Sequence, residues 1–209
     1  MARVFYIEAS PRKSRSASIE VAQHFLDAYR NENPSDFIDT LDLWAKPLPE
    51  FDQALLDAKY AVLSGQSLTA PQKAAWGLIS QMSDRLKAAD KIVIATPMWN
   101  FGIPYKLKHY IDLITQPGLT FSFEPATGYS GLVTDKKALC IYAQGGDYGP
   151  GSRAEQMNMQ APYLAQALHF IGITEQQAVV VSPTLAGPTA DAQARMRAKA
   201  EVEKLVASF

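Results

Sequence analysis

The sequence predicts an α/β fold: one open, parallel, five-stranded sheet with helices packed on both faces. Strand-like and helix-like stretches alternate along the whole chain, the pattern of successive β–α–β units. The run Ile92-Val93-Ile94-Ala95 is apolar at every position, as expected of a strand covered on both faces. Leu107, Tyr110, Ile111 and Ile114 then recur at helical spacing, so a helix follows that strand directly.

The first strand spans about Arg3–Ala9. Its helix begins after Ser18, read as the N-cap, and buries Ile19, Ala22, Phe25, Leu26 and Tyr29. The second strand, about Phe37–Leu43, carries Asp39, Thr40 and Asp42, a polarity that suits a sheet edge. Residues Trp44–Ser67, with Pro47, Pro49 and Gly65, read as irregular. Thr69-Ala-Pro-Gln72 is a capping box opening a helix that buries Ala75, Ile79, Met82 and Leu86. The third strand is the apolar run around Ile92. A long excursion, Pro117–Asp135, precedes a fourth strand at Lys137–Ala143. A glycine-rich turn, Gly145–Gly151, leads to a helix near Pro162–Ile171 that stops at Gly172. The fifth strand lies at about Gln177–Ser182 and a last helix at about Thr189–Ala207. No linker or repeat interrupts the chain, so one domain over residues 1–209 is expected.

Right-handed crossovers leave few ways to wind five such strands. The flavodoxin-like order 2-1-3-4-5, a three-layer sandwich, places the polar second strand at an edge. It also makes strands one and three neighbours whose connections leave on opposite faces, and ligands bind at such a switch point. The loops meeting there are Ser10–Ser18 and Pro97–Pro104, with Ala143–Gly151 beside them.

Bulk properties exclude several classes. The 209 residues are 47 % hydrophobic and 20 % charged, ordinary for a globular protein. A net charge of −1 gives no general attraction to nucleic acid or anionic membrane. The one cysteine, Cys140, lies in an apolar strand and reads as a buried, inert thiol. No signal-peptide layout and no apolar run of membrane-spanning length appears, so a cytoplasmic protein is expected. His24, His109 and His169 are scattered over helices, and no metal site is expected.

The loops carry the chemistry. Ser10-Pro-Arg-Lys-Ser-Arg-Ser-Ala-Ser18 offers four hydroxyls, three basic residues and the free amides of a helix start, a setting for one phosphate. It holds no glycine, so neither a Walker loop nor a dinucleotide fingerprint is present. A solvated basic turn is the plainer alternative. Pro97-Met-Trp-Asn-Phe-Gly-Ile-Pro104 brings large flat apolar groups and one amide to a stiffened loop, suited to a planar ligand such as an isoalloxazine; a plug over the core is the alternative. Gly145-Gly146 would let backbone approach a flat ring closely. Gly149-Pro-Gly-Ser-Arg-Ala154 matches G-x-G-x-x-A but follows the wrong strand and contains Pro150, so it is read as a decoy. A phosphoacceptor domain lacks its aspartate at Thr96-Pro97, and no G-x-S-x-G elbow marks a hydrolase.

The segment Pro97–Pro104, with Leu107-Lys-His-Tyr-Ile-Asp112 and Gln116-Pro-Gly-Leu-Thr-Phe121, resembles the FMN-dependent NADH-azoreductases, within the flavodoxin-like NAD(P)H:quinone oxidoreductases. The resemblance runs from first strand to last helix. It implies that Ser10, Ser16 and Ser18 hold the FMN phosphate, that Met98, Trp99, Asn100 and Phe101, after Pro97, cradle the ring, and that Ala143, Gly145 and Gly146 line its other edge. Ala17 and Gln144 stand where the family often has a polar residue and an arginine, and are expected to act through backbone groups.

The activity implied is two-electron, ping-pong reduction of quinones and azo compounds by NADH or NADPH, with the flavin carrying the chemistry and no catalytic side chain required. Trp99, Phe101, Phe121 and Phe123 are expected to wall the acceptor site; for Phe121 and Phe123 a hairpin edge packed on the core is the alternative. Those rings, with Phe51 and Trp44, would form an exposed apolar patch on a monomer, which predicts a homodimer with sites at its interface. A flavodoxin-type carrier and a non-catalytic FMN-binding module are the competing readings. Low net charge and long loops favour the enzyme.

Overall fold

A computed structural model describes residues 1–209. Strands β1 (Arg3–Glu8), β2 (Phe37–Asp42), β3 (Lys91–Pro97), β6 (Lys137–Ala143) and β7 (Glu175–Val181) form one parallel sheet in the order β2-β1-β3-β6-β7. In sheet strands alone this is 2-1-3-4-5, as the sequence predicts. The polar β2 is an edge and β3 is central. On one face α1 (Ala17–Glu32) and α6 (Pro188–Leu205) bury Phe25, Tyr29 and Val202 against Val93 and Leu139. On the other, α3 (Ala70–Lys87), α4 (Tyr105–Ile114) and α5 (Gln160–Phe170) bury Leu86, Leu107 and Leu164 against Ile94 and Cys140. Burial pushes the Cys140 thiol up to about 12, so it stays protonated and inert. No helix is long and apolar enough to cross a membrane.

Two local expectations are corrected. Helix α1 starts two residues early: Ser16, not Ser18, is its N-cap, with Oγ accepting from Ile19 N at 3.4 Å. The segment 44–67 contains a helix, α2 (Gln53–Leu63), opened by Asp52, whose Oδ1 accepts from Leu55 N at 3.0 Å. Its buried face is only Leu55, Ala58 and Ala61, too small to stand out as an apolar stripe. The excursion 117–135 holds an antiparallel hairpin, β4 (Phe121–Glu124) and β5 (Gly128–Gly131).

The edge strand is fastened by ionic contacts. Asp39 on β2 takes two hydrogen bonds from Arg85 of α3, at 3.0 and 2.7 Å, and one from Arg3 of β1 at 2.5 Å. Arg85 chiefly, and then Arg3 against an opposing burial cost, holds the Asp39 carboxyl at about 2. A carboxyl depressed in the fold contributes stability above its unfolded value and loses it as pH falls toward the folded one. Asp39→Asn should therefore cost about 1–2 kcal/mol at neutral pH. In urea melts that cost should shrink as pH falls from about 4 toward 2; a pH-independent cost would refute the ion-pair origin.

Candidate functional site

Three loops meet where the sheet strands end. The first leaves β1, whose last contact is Ala9 N donating to Ala95 O at 2.9 Å. Ser10, Ser16 and Ser18 are all buried, and the Ser16 and Ser18 hydroxyls lie 3.2 Å apart. The Ala17 and Ser18 N–H groups, the first two of α1, donate to no group in the chain. Buried hydroxyls beside two free amides at a helix start make an anion cradle. The Ala17 contribution to that cradle is its free backbone N–H. Lys13 does not contribute: its ammonium lies 3.1 Å from Glu8 and also pairs with Asp42. Burial disfavours that charge, yet Asp42 and Glu8 together hold it above its ordinary value. The loose cations of this loop are therefore Arg12 and Arg15, both exposed.

The second loop folds back on itself. Met98 N donates to Ala143 O at 2.7 Å, tying Pro97–Met98 to β6. Trp99 and Gly102 then exchange backbone hydrogen bonds of 3.0 Å each. Between them Asn100 and Phe101 have φ of +46° and +70°, left-handed values that strain a residue with a Cβ. Such strain costs on the order of 1 kcal/mol per residue and persists where the surroundings over-determine it, commonly at ligand sites. Here Met159 N donates to Phe101 O at 2.9 Å and pins the turn. The turn projects an exposed Asn100 side chain and a half-exposed Phe101, whose ring centre is 6.3 Å from that of Tyr148 on the third loop.

The third loop leaves β6 at Ala143. Gly145 O accepts from Leu185 N and Gly146 O from Ser182 Oγ, whereas both glycine N–H groups donate to nothing in the chain. A Cβ on Gly145 would meet Leu185 Cδ1 at 2.7 Å, so a larger residue there would push the exposed Leu185 side chain aside. The backbone role expected for Gln144 is not available. Its N–H is spent on Val181 O and its carbonyl on Thr184, because the residue continues the pairing of β6 with the β7 side. Its side chain turns inward: Nε2 donates to Gln160 Oε1 at 3.2 Å, and Gln160 Nε2 donates to Thr96 O at 3.3 Å. Both glutamines are buried, so they brace the loop from beneath.

Phe121 and Phe123 are not brought to this crevice by their own chain. Helix α4 runs back along the sheet, so the hairpin after it starts at the end where strands begin. Val133 N donates to Ile171 O at 2.8 Å, beside the turn that feeds β7. A Cβ on Gly131 would meet Gly172 N at 2.2 Å, so hairpin and turn touch backbone to backbone. Phe121 and Tyr129 pack on Phe170 at 5.0 and 5.5 Å, and Phe123 on Tyr129 at 4.9 Å. Phe51 packs elsewhere again, beside Leu55 and Ile79. The single apolar patch expected from sequence is thus split. Trp44 does join the crevice, its indole N–H donating to Ala9 O at 3.1 Å. The G-x-G-x-x-A stretch 149–154 is turn, and α5 begins only at Gln160, so the strand–turn–helix context of a dinucleotide site is missing.

The fold and these loops define an α/β protein with buried hydroxyls and free helix-start amides beside an aromatic, left-handed turn at its switch point. Residues 2–206 match the family model described as the flavodoxin-like fold, and the chain belongs to that family. It is 42 % identical over 207 residues to an FMN-dependent NADH:quinone oxidoreductase of Pseudomonas fluorescens, covering 98 % of this chain and 96 % of the relative. It is 47 % identical over 195 residues to one from Nitratidesulfovibrio vulgaris, covering 93 % of each. A crystal structure of azoreductase from Bacillus anthracis superposes with a TM-score of 0.91 at 28 % identity over all of both chains. An FMN-dependent NADH-azoreductase of the same organism, in complex with FMN, gives 0.88 at 29 % identity over 99 % of this chain and 98 % of that one.

The glutamine brace is testable by stability. Gln160→Leu strands the buried Gln144 amide and should cost about 1–3 kcal/mol in denaturant unfolding. Adding Gln144→Met should recover part of that loss, since it removes the stranded amide and leaves only the Gln160 bond to Thr96 O missing. Additive costs in the double variant would show that the two amides do not support one another.

Proposed function

We propose that this chain, as a single flavodoxin-like domain, is an FMN-dependent oxidoreductase that passes two electrons from NADH to quinones and azo compounds. The observation carrying this reading is the pairing, across the β1/β3 switch point, of one anion cradle with a left-handed turn and two free glycine amides. One cradle and no pyrophosphate fingerprint suits a phosphomonoester such as FMN better than a dinucleotide. The names of the relatives agree: FMN-dependent, NADH as donor, quinone and azo reduction.

Bound FMN would supply the hydride and electron-transfer chemistry. The chain's own part is binding, orientation and exclusion of water. Ala17 and Ser18 amides, with the Ser10, Ser16 and Ser18 hydroxyls, hold the phosphate at the positive end of α1. The turn at Asn100-Phe101 and the Gly145 and Gly146 N–H groups present donors to the edge of a ring. Met98, Trp99 and Phe101 supply apolar surface, with stacking worth on the order of 1 kcal/mol per ring beyond area. Segment 97–104 contains no titratable side chain, so its contribution is contact and hydrogen bonding.

The reading includes a cytoplasmic homodimer. The hairpin rings, with Phe123 55 % and Tyr129 64 % exposed, lie far from the crevice of their own chain, and a two-fold partner gives them a crevice to roof. Donor and acceptor would share one face of the ring, so turnover is expected to be ping-pong. Steady-state kinetics with NADH and a benzoquinone should give parallel double-reciprocal lines; intersecting lines would contradict a shared face. Across a dilution series followed by light scattering, activity should fall with the dimer while the circular dichroism holds. A fully active monomer would refute the shared site.

A further inference from the structure

Trp44, Trp99 and Tyr105 form a three-ring cluster at the mouth between the first and second loops. Their centres are 5.8 Å (Trp44–Trp99), 5.5 Å (Trp44–Tyr105) and 6.3 Å (Trp99–Tyr105) apart. Trp44 is fixed by its hydrogen bond to Ala9 O, where β1 gives way to the first loop, and Trp99 opens the left-handed turn. Tyr105 begins α4 and is 61 % exposed. The Lys106 ammonium lies 4.7 Å from the centre of the Trp44 ring.

The charge around these rings is unbalanced. Lys108, the next cation along α4, is held by Asp112 at 2.6 and 2.7 Å. Lys106 is in ion-pair reach of no carboxylate, and neither are Arg12 and Arg15 on the first loop or Lys46 just after Trp44. Glu8 and Asp42, the carboxylates that flank these segments, are both engaged by Lys13. On a chain of net charge −1, the segments carrying the three rings thus hold two unpaired cations, Lys46 and Lys106, and the neighbouring first loop adds Arg12 and Arg15.

We infer that this mouth is a subsite for a flat aromatic group bearing an anionic substituent, with the ring against the indoles or Tyr105 and the anion on Lys106. The inference rests on the reading above and names a substrate class for that site. A cation over an indole face gains little in water, whereas a charge-assisted hydrogen bond to a bound anion adds to the stacking. Two sources share this chemistry: an acceptor with a carboxylate or sulfonate, and the nicotinamide donor with its phosphates.

The test is calorimetric titration of the FMN-loaded protein with naphthalene-2-sulfonate and with neutral 2-naphthamide. The sulfonate should bind at least several-fold more tightly than the amide. Lys106→Ala should weaken the sulfonate about tenfold, and Lys106→Glu further, with the amide unaffected. Equal binding of the two probes, or a sulfonate preference untouched by both variants, overturns the subsite. Kinetics separate the sources, with a sulfonated naphthoquinone and its unsulfonated parent as paired acceptors. If Lys106→Ala raises KM for the sulfonated quinone relative to the parent quinone while KM for NADH holds, the acceptor uses the subsite. If KM for NADH rises instead, the donor does. Lys106-dependent sulfonate binding in a protein that turns over no quinone would support the subsite and refute the proposed reaction.

Discussion

The pairing of β1 with β3 is the constraint on which the functional end depends. Their register runs from Val4 opposite Lys91 to Glu8 opposite Ala95 and is continued by the Ala9–Ala95 hydrogen bond. From that point the two chains leave on opposite faces, into α1 and α4, and a crevice opens between them. Both faces of β1 are buried, Val4 and Tyr6 against the α1/α6 layer and Phe5 and Ile7 against the opposite one, so close packing on two sides holds the register. The core thereby fixes where the Ser10 hydroxyl and the α1 amides stand relative to the Trp99–Gly102 turn.

Rigidity at this end comes from polar contacts more than from apolar packing. The second loop is pinned at Met98 by β6, at Trp99–Gly102 by its own turn and at Phe101 by Met159. The third is braced from beneath by the Gln144–Gln160 pair, which also holds the last carbonyl before Pro97. Left-handed Asn100 and Phe101 survive because these contacts outweigh their strain. Such preorganisation lowers the cost of fixing a flat ligand, since the donors are already placed.

The sheet order and most strand limits are legible in the sequence because continuous apolar runs and flanking turn residues decide them. Lys137–Ala143 is an example where expected and observed limits coincide. Helix α2 escapes notice because its buried face is mostly alanine, and the shifted α1 cap because Ser16 and Ser18 are equally good caps by type. In the site, the serine cradle and the Trp99–Gly102 loop can be named from residue types. The inward turn of Gln144 cannot, since its partner Gln160 lies on a helix that local pattern does not relate to it. Nor can the distance between the hairpin rings and the crevice, which follows from the direction of α4 and the backbone contact of Gly131 with Gly172.

The anion cradle is the central element, and FMN affinity of a Ser16→Ala/Ser18→Ala double variant measures it most directly. Loss of two hydroxyls that bind a charged group should weaken FMN by roughly ten- to a hundred-fold, about 1.4–2.8 kcal/mol, with the far-ultraviolet circular dichroism retained. FMN affinity unchanged from the parent protein would remove this loop from the cofactor site and contradict the assignment.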